Sequence, residues 1–220
     1  MRSLRKRWHA MTIVTFTSIA GVPISPSPRK IGDAFLAKLD AAFEDLWARC
    51  PWGQASKIVH MGAYVDRPDP KGIDRHAQAR AIDIGSVRWE PGRGQLTVRA
   101  GDPAMGGEGV GAIAMARYLA VTAVFELHLG CALNYWQPDG KHRSHWHLDD
   151  HREPGWNAGW LPSVRFLQAA LRYVWGAEGL AIDGVMGPKT RAALGDVDFG
   201  AAEQVWPEWL EETARRGFAL

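Results

Sequence analysis

Four residues, His145-Trp146-His147-Leu148, constrain the fold of this chain more than any other short stretch. Polar and apolar side chains alternate there with a period of two, the period of a β-strand. Read as a strand, the stretch sends His145 and His147 to one face and Trp146 and Leu148 to the other. The apolar face then needs a core behind it. Two imidazoles on the opposite face make half of a metal site, but such pairs also arise by chance. The second half has to be found elsewhere.

RHAQARAIDIG, upstream, holds His76 and Asp83 with six residues between them. The interval joins a loop to a strand, so the two side chains can converge without being helix neighbours. His76, Asp83 and His147 together offer two nitrogens and one oxygen. Zinc accepts such mixed ligands, and a catalytic site keeps its fourth position for water. Bound zinc brings the pKa of that water towards ~7. His145 is left over on the same face, available as a proton acceptor or as a donor to a developing oxyanion. His142 either orients a ligand or is solvated. Asp149 is either a hydrogen-bond acceptor behind a ligand or a residue closing the strand. Glu126, in an apolar helical stretch, is the alternative general base. His9, His60, His128 and His151 read as structural or exposed.

The rest of the chain reads as α+β, with a small antiparallel sheet, flanking helices and a small all-α C-terminal part. IGDAFLAKLDAAFEDLWARC has helical spacing from Ile31 to Trp47, and Val110 to Leu129 reads as a buried helix. KIVHMGAYV and ARAIDIGSVRW read as strands, and PISPSPRK as a Pro/Ser spacer. After a linker at 154–161, SVRFLQAALRYVW is amphipathic. Further helices are expected from Pro188 and after Pro207. The division is 1–153, a linker at 154–161, and 162–220.

The chain has 220 residues, 46% of them hydrophobic and 23% charged, with a net charge of +2. That balance excludes a nucleic-acid binder held by electrostatics; RSLRKR alone is the only feature pointing that way. No apolar run reaches the ~20 residues needed to span a bilayer, so no stable membrane insertion is expected. Two cysteines, Cys50 and Cys131, allow one disulfide or two buried free thiols. Eleven tryptophans are many for this length; most are expected in the core and a minority along a groove. At the N-terminus, Arg2, Arg5, Lys6 and Arg7 resemble a basic leader region. MTIVTFTSIAGV fits either a short apolar leader segment or a half-buried strand, with an uncleaved N-terminus the preferred reading.

HAQARAID resembles the HxxGxAxD motif of the zinc D-Ala-D-Ala carboxypeptidase and L-Ala-D-Glu endopeptidase family. HRSHWHLD resembles the HxxHxHxD ending of extensin-like domains and murein endopeptidases. The resemblance covers Gly62 to Asp150 well and Ile19 to Cys50 loosely. It implies His76, Asp83 and His147 as zinc ligands and His145 as the catalytic group. Ala79 stands where the family usually has Gly, and Asp74 where Ser is common; both departures bear on the substrate pocket. AYVDRP resembles the Tyr-x-x-Arg segment preceding the motif in extensin-like domains. Arg67 there is suited to clamping a substrate carboxylate with two parallel hydrogen bonds, or to capping a surface turn. VRFLQAALRYVWGAEGLAIDGVMGPKTRAAL resembles a three-helix peptidoglycan-binding domain, from about Pro162 to Leu194.

The expectation from these motifs is a zinc-dependent peptidase cutting stem peptides of bacterial peptidoglycan in the periplasm or cell wall. A C-terminal module would hold it on the wall. Without a clear leader, a phage or prophage endolysin is the preferred source, and a secreted housekeeping hydrolase the other. The alternative is a non-catalytic wall-binding or tail-associated structural protein that keeps the fold. The motifs do not distinguish which bond is cut, and they say nothing of the oligomeric state.

Overall fold

The structure, a computed structural model, describes residues 12–27, 29–89, 97–99, 110–137 and 140–220. The basic residues Arg2 to Arg7 and His9 lie outside the described residues. Among the described residues the protein is α+β, with five helices and a mixed sheet.

A small two-stranded sheet pairs β1 (Ile13–Phe16) antiparallel with β4 (Arg29–Gly32). The main sheet has seven strands. Its order is β2 (Ser18–Ile19), β3 (Val22–Ser25), β5 (Lys57–Gly62), β6 (Ala81–Arg88), β9 (Trp146–Asp149) and β8 (Cys131–Leu133). A short β7 (Thr97–Arg99) pairs with the Ser86–Arg88 end of β6, while β9 pairs with the Ala81–Ile84 end. The β3–β5 pair is parallel and the other pairs are antiparallel. The expected small antiparallel sheet is therefore corrected to a larger, mixed one. The difference lies partly in PISPSPRK, most of which is strand rather than spacer. Val22 and Ile24 are buried while Pro23 faces outward, a period-two signal that the prolines and serines obscure. Ile31 likewise lies in β4 instead of opening a helix.

Helix α1 (Asp33–Arg49) follows directly, with Asp33 in its first turn where the helix dipole favours an acid. It buries Phe35, Leu39, Phe43 and Leu46, one stripe at helical spacing. The central helix is α2 (Val110–His128). It is apolar nearly all round, and Leu119, Val121, Val124 and Phe125 are fully buried. Such a helix belongs between layers. On one side it meets α1 and strands of the sheet, and on the other α5 (Val205–Ala219). Gly217 of α5 sits so close to α2 that an added Cβ would stand 2.5 Å from the Ala116 carbonyl oxygen.

Two more helices, α3 (Leu161–Tyr173) and α4 (Pro188–Leu194), frame the C-terminal part. Buried Gln168 fixes the turn between them. Its amide nitrogen donates to Asp183 Oδ1 at 2.8 Å and to Val185 O at 3.0 Å, and its oxygen accepts from Gly184 N at 2.7 Å. Trp156, Phe199, Trp206, Trp209 and Trp175 form a continuous aromatic row beside them. No described tryptophan is exposed, which accounts for their number chiefly as packing. The hydrophobic core is one cluster running from Phe16 to Phe218, through both halves of the expected division. Cys50 and Cys131 are buried free thiols.

Candidate metal centre

The core positions β9. Trp146 is fully buried and stacks on Tyr118 of α2, with ring centroids 4.8 Å apart. Its indole N–H donates to Thr122 Oγ1 at 2.9 Å. With Trp146 and Leu148 turned inward, His145 and His147 are forced onto the other face, as the alternation predicts. In the β6–β9 register Asp83 stands directly opposite His147. On the far side of β6, Asp83 faces Gly62 of β5, where an added Cβ would come within 3.2 Å of Asp83 Oδ2. Glycine at this position leaves the carboxylate its room.

His76 reaches the sheet from the loop after β5. The loop is stitched to its own beginning: Val65 N donates to His76 O, and Ala79 N donates to His76 O at 3.0 Å. Ala79 itself has φ of +54° and is fully buried. The left-handed conformation that glycine favours is thus present here with a methyl group, at a cost of ~1–2 kcal/mol.

Three ligand atoms converge. His76 Nε2 lies 3.2 Å from His147 Nδ1 and 3.3 Å from Asp83 Oδ1, and His147 Nδ1 lies 2.9 Å from the same oxygen. For bonds of ~2.0 Å, donors on a tetrahedron stand roughly 3.3 Å apart. The observed spacing is close to that edge. The outer ring nitrogens fix the tautomers. His76 Nδ1 donates to Ala63 O at 2.8 Å, and His147 Nε2 faces Asp149 Oδ2 at 3.2 Å. With a cation bound, each ring would present a lone pair inward, as neutral imidazole ligands do. The donor set fits a divalent cation such as zinc; its chemistry does not select zinc from other first-row ions.

Electrostatics point the same way. Burial opposes a charge on His147, but the Asp149 and Asp83 carboxylates outweigh it and hold its pKa up at about 9. Asp149, despite burial, is held down to about 2 by His147 and His151. Burial likewise opposes the Asp83 charge, and the hydrogen bonds from His147 and His76 overcome it and lower its pKa. Three electron-pair donors meeting at one point call for positive charge, and a proton on His147 supplies it when no cation does.

His145 Nε2 stands 3.6 Å from Asp83 Oδ1, on the edge of the same cluster. His142 packs its ring edge-on against His145 and His147, with centroids 5.2 and 5.7 Å away. Arg67 is not in the cluster: its guanidinium is bonded to Asp74, at the rim of the loop. Glu126 is buried in α2, where loss of solvent pushes its carboxyl up to about 8. It does not line the cleft above the metal centre. That cleft has a volume of about 320 Å³, with Ile73 to His76 on one wall and His147, Asp149 and His151 on the other.

Sequence reasoning missed the role of Asp150. Its carboxylate binds Arg80 at 2.7 Å and Lys38 at 3.0 Å, tying the end of β9 to the loop and to α1. Only the DD pair hinted at it. His60, buried, bonds to Pro26 O at 2.7 Å, and His128 bonds to Asp45 of α1 at 2.8 Å; both are structural. No helix among the described residues is long and apolar enough to cross a membrane. No protein-family model matches the chain, no curated protein matches it, and no solved structure matches it.

Proposed function

We propose that the chain is a zinc-dependent hydrolase that cuts stem peptides of bacterial peptidoglycan. The observation that carries the reading is the convergence of His76 Nε2, Asp83 Oδ1 and His147 Nδ1 beneath an open cleft. Three protein ligands with an accessible fourth side is the pattern of a catalytic rather than a closed structural zinc site. Zinc held there would acidify a water molecule and polarise a peptide carbonyl. His145 is spaced to take up and return the proton, because its Nε2 faces the cluster without belonging to the triad. Asp149 holds the His147 ring in the tautomer a ligand needs.

The choice of peptidoglycan rests on the resemblance of both histidine motifs to the carboxypeptidase and endopeptidase family. A further resemblance, of Val164–Leu194 to wall-binding modules, supports it. Arg67 serves as a carboxylate clamp in this reading only after releasing Asp74, so the clamp is a displaceable one. Mass spectrometry of purified peptidoglycan digested with and without a chelator tests the proposal. New peptide termini that vanish with chelator and return with zinc are expected. Intact stem peptides after incubation with the zinc-loaded, folded protein would instead favour a wall-binding protein without catalysis.

A further inference from the structure

We propose a second cation site, formed by Cys131 Sγ, Asp149 Oδ1 and an imidazole nitrogen of His151. The ligand atoms of these three residues lie within 4.8 Å of one another. Strand register sets the first pair, since Cys131 of β8 stands directly opposite Asp149 of β9. His151 follows two residues later and turns back: its backbone N–H donates to Asp149 Oδ1 at 2.9 Å, and its Nδ1 lies 2.5 Å from that oxygen. None of these three residues belongs to the ligand triad.

The chemistry suits a borderline-soft divalent ion. A thiolate and a carboxylate together neutralise a charge of +2, as burial requires where Cys131 is 2% exposed and Asp149 3%. A thiolate with an imidazole favours zinc, cobalt or cadmium over magnesium or calcium. Binding releases the Cys131 thiol proton to solvent. An independent observation lies beside the thiol. Glu126 is 3% exposed, its Oε1 has no hydrogen-bond partner among the described residues, and when ionised it pushes the Cys131 thiol pKa up. Ionised, that carboxyl would add negative charge near the ion without standing among its ligands. Asp149 joins the two centres, because its other oxygen faces His147 Nε2.

Cobalt(II) titration of the full-length protein, stripped with chelator and kept reduced, tests this site separately from the hydrolase reading. Two equivalents should bind, one of them with near-ultraviolet thiolate-to-cobalt absorption. Cys131→Ala and His151→Ala should each lose that band and one equivalent, with native circular dichroism. His151 is the safer variant, being near the surface. His76→Ala should keep the band while losing the other equivalent. A folded wild type with no thiolate band, or a band surviving either Cys131→Ala or His151→Ala, overturns the proposal.

Discussion

His147 meets two demands at once: it is largely buried, yet two carboxylates press it to carry charge. Its folded pKa of about 9 stands above the ordinary 6.5. The stabilisation from its charge is therefore complete below about 6.5 and is lost as pH rises through about 9. Asp83 and Asp149 shift downward, so their contribution is present above ~4 and fades as pH falls below it. In chelator, the melting temperature should be highest between ~4 and ~6.5 and should fall toward pH 9. With zinc bound the His147 part of the alkaline fall should vanish, because the cation replaces the proton, leaving only the part due to Glu126, whose carboxyl is pushed up to about 8. A metal-free melting temperature that climbs from pH 6.5 to 9 contradicts this assignment. His147→Ala should lose metal and activity together. His145→Ala should retain metal and lose on the order of 100-fold or more in turnover, measured on a soluble muropeptide. The convergence of His76, Asp83 and His147, with His145 at its edge, was legible in the sequence, because residues able to bind a metal are of few types and the HxH alternation fixes their face. Asp150 and the Arg67–Asp74 pair were not, because surface-charge partners depend on distant segments that no local pattern encodes.

At the scale of elements, β9 is held by one buried aromatic. Trp146→Ala removes the stack on Tyr118, the edge contact with Phe125 and the bond to Thr122. It should cost ~3–5 kcal/mol, as large-to-small core changes do. It should also loosen zinc binding, since His147 rides on the same strand; a variant equally stable and equally tight would show that β9 is fixed otherwise. Helices α1 and α3 were readable from apolar spacing, α2 from a long apolar run with few breakers, and β5, β6 and β9 from strand patterns. The short strands were not. β8, at Cys131–Leu133, is only three residues long, too short for a periodic signal, and the run around β3 is interrupted by prolines. The parallel pairing of β3 with β5 is a long-range choice that alternation alone cannot specify.

For the whole molecule, the continuous core argues that the two halves fold together. Helix α2 gives one side to the sheet and the other to α5, and Arg49 of α1 reaches Glu211 of α5 at 3.0 Å. Thermal unfolding should be one cooperative transition seen alike by tryptophan fluorescence and far-ultraviolet circular dichroism. Gly217→Ala should lower stability by ~1–3 kcal/mol, the range for overpacking, and shift that single transition as a unit. Two separated transitions, with only one displaced, would mean the halves are independent. Cutting the chain near Gly155 would bare the outer face of α2, so wall binding is better probed by substitution than by deletion.

The proposed function depends on one divalent ion sitting among His76, Asp83 and His147. Anomalous diffraction at the zinc absorption edge, on crystals grown with zinc, tests that most directly. The account predicts a peak ~2 Å from His76 Nε2, His147 Nδ1 and an Asp83 carboxylate oxygen. Clear density for the three side chains with no anomalous peak between them would contradict it.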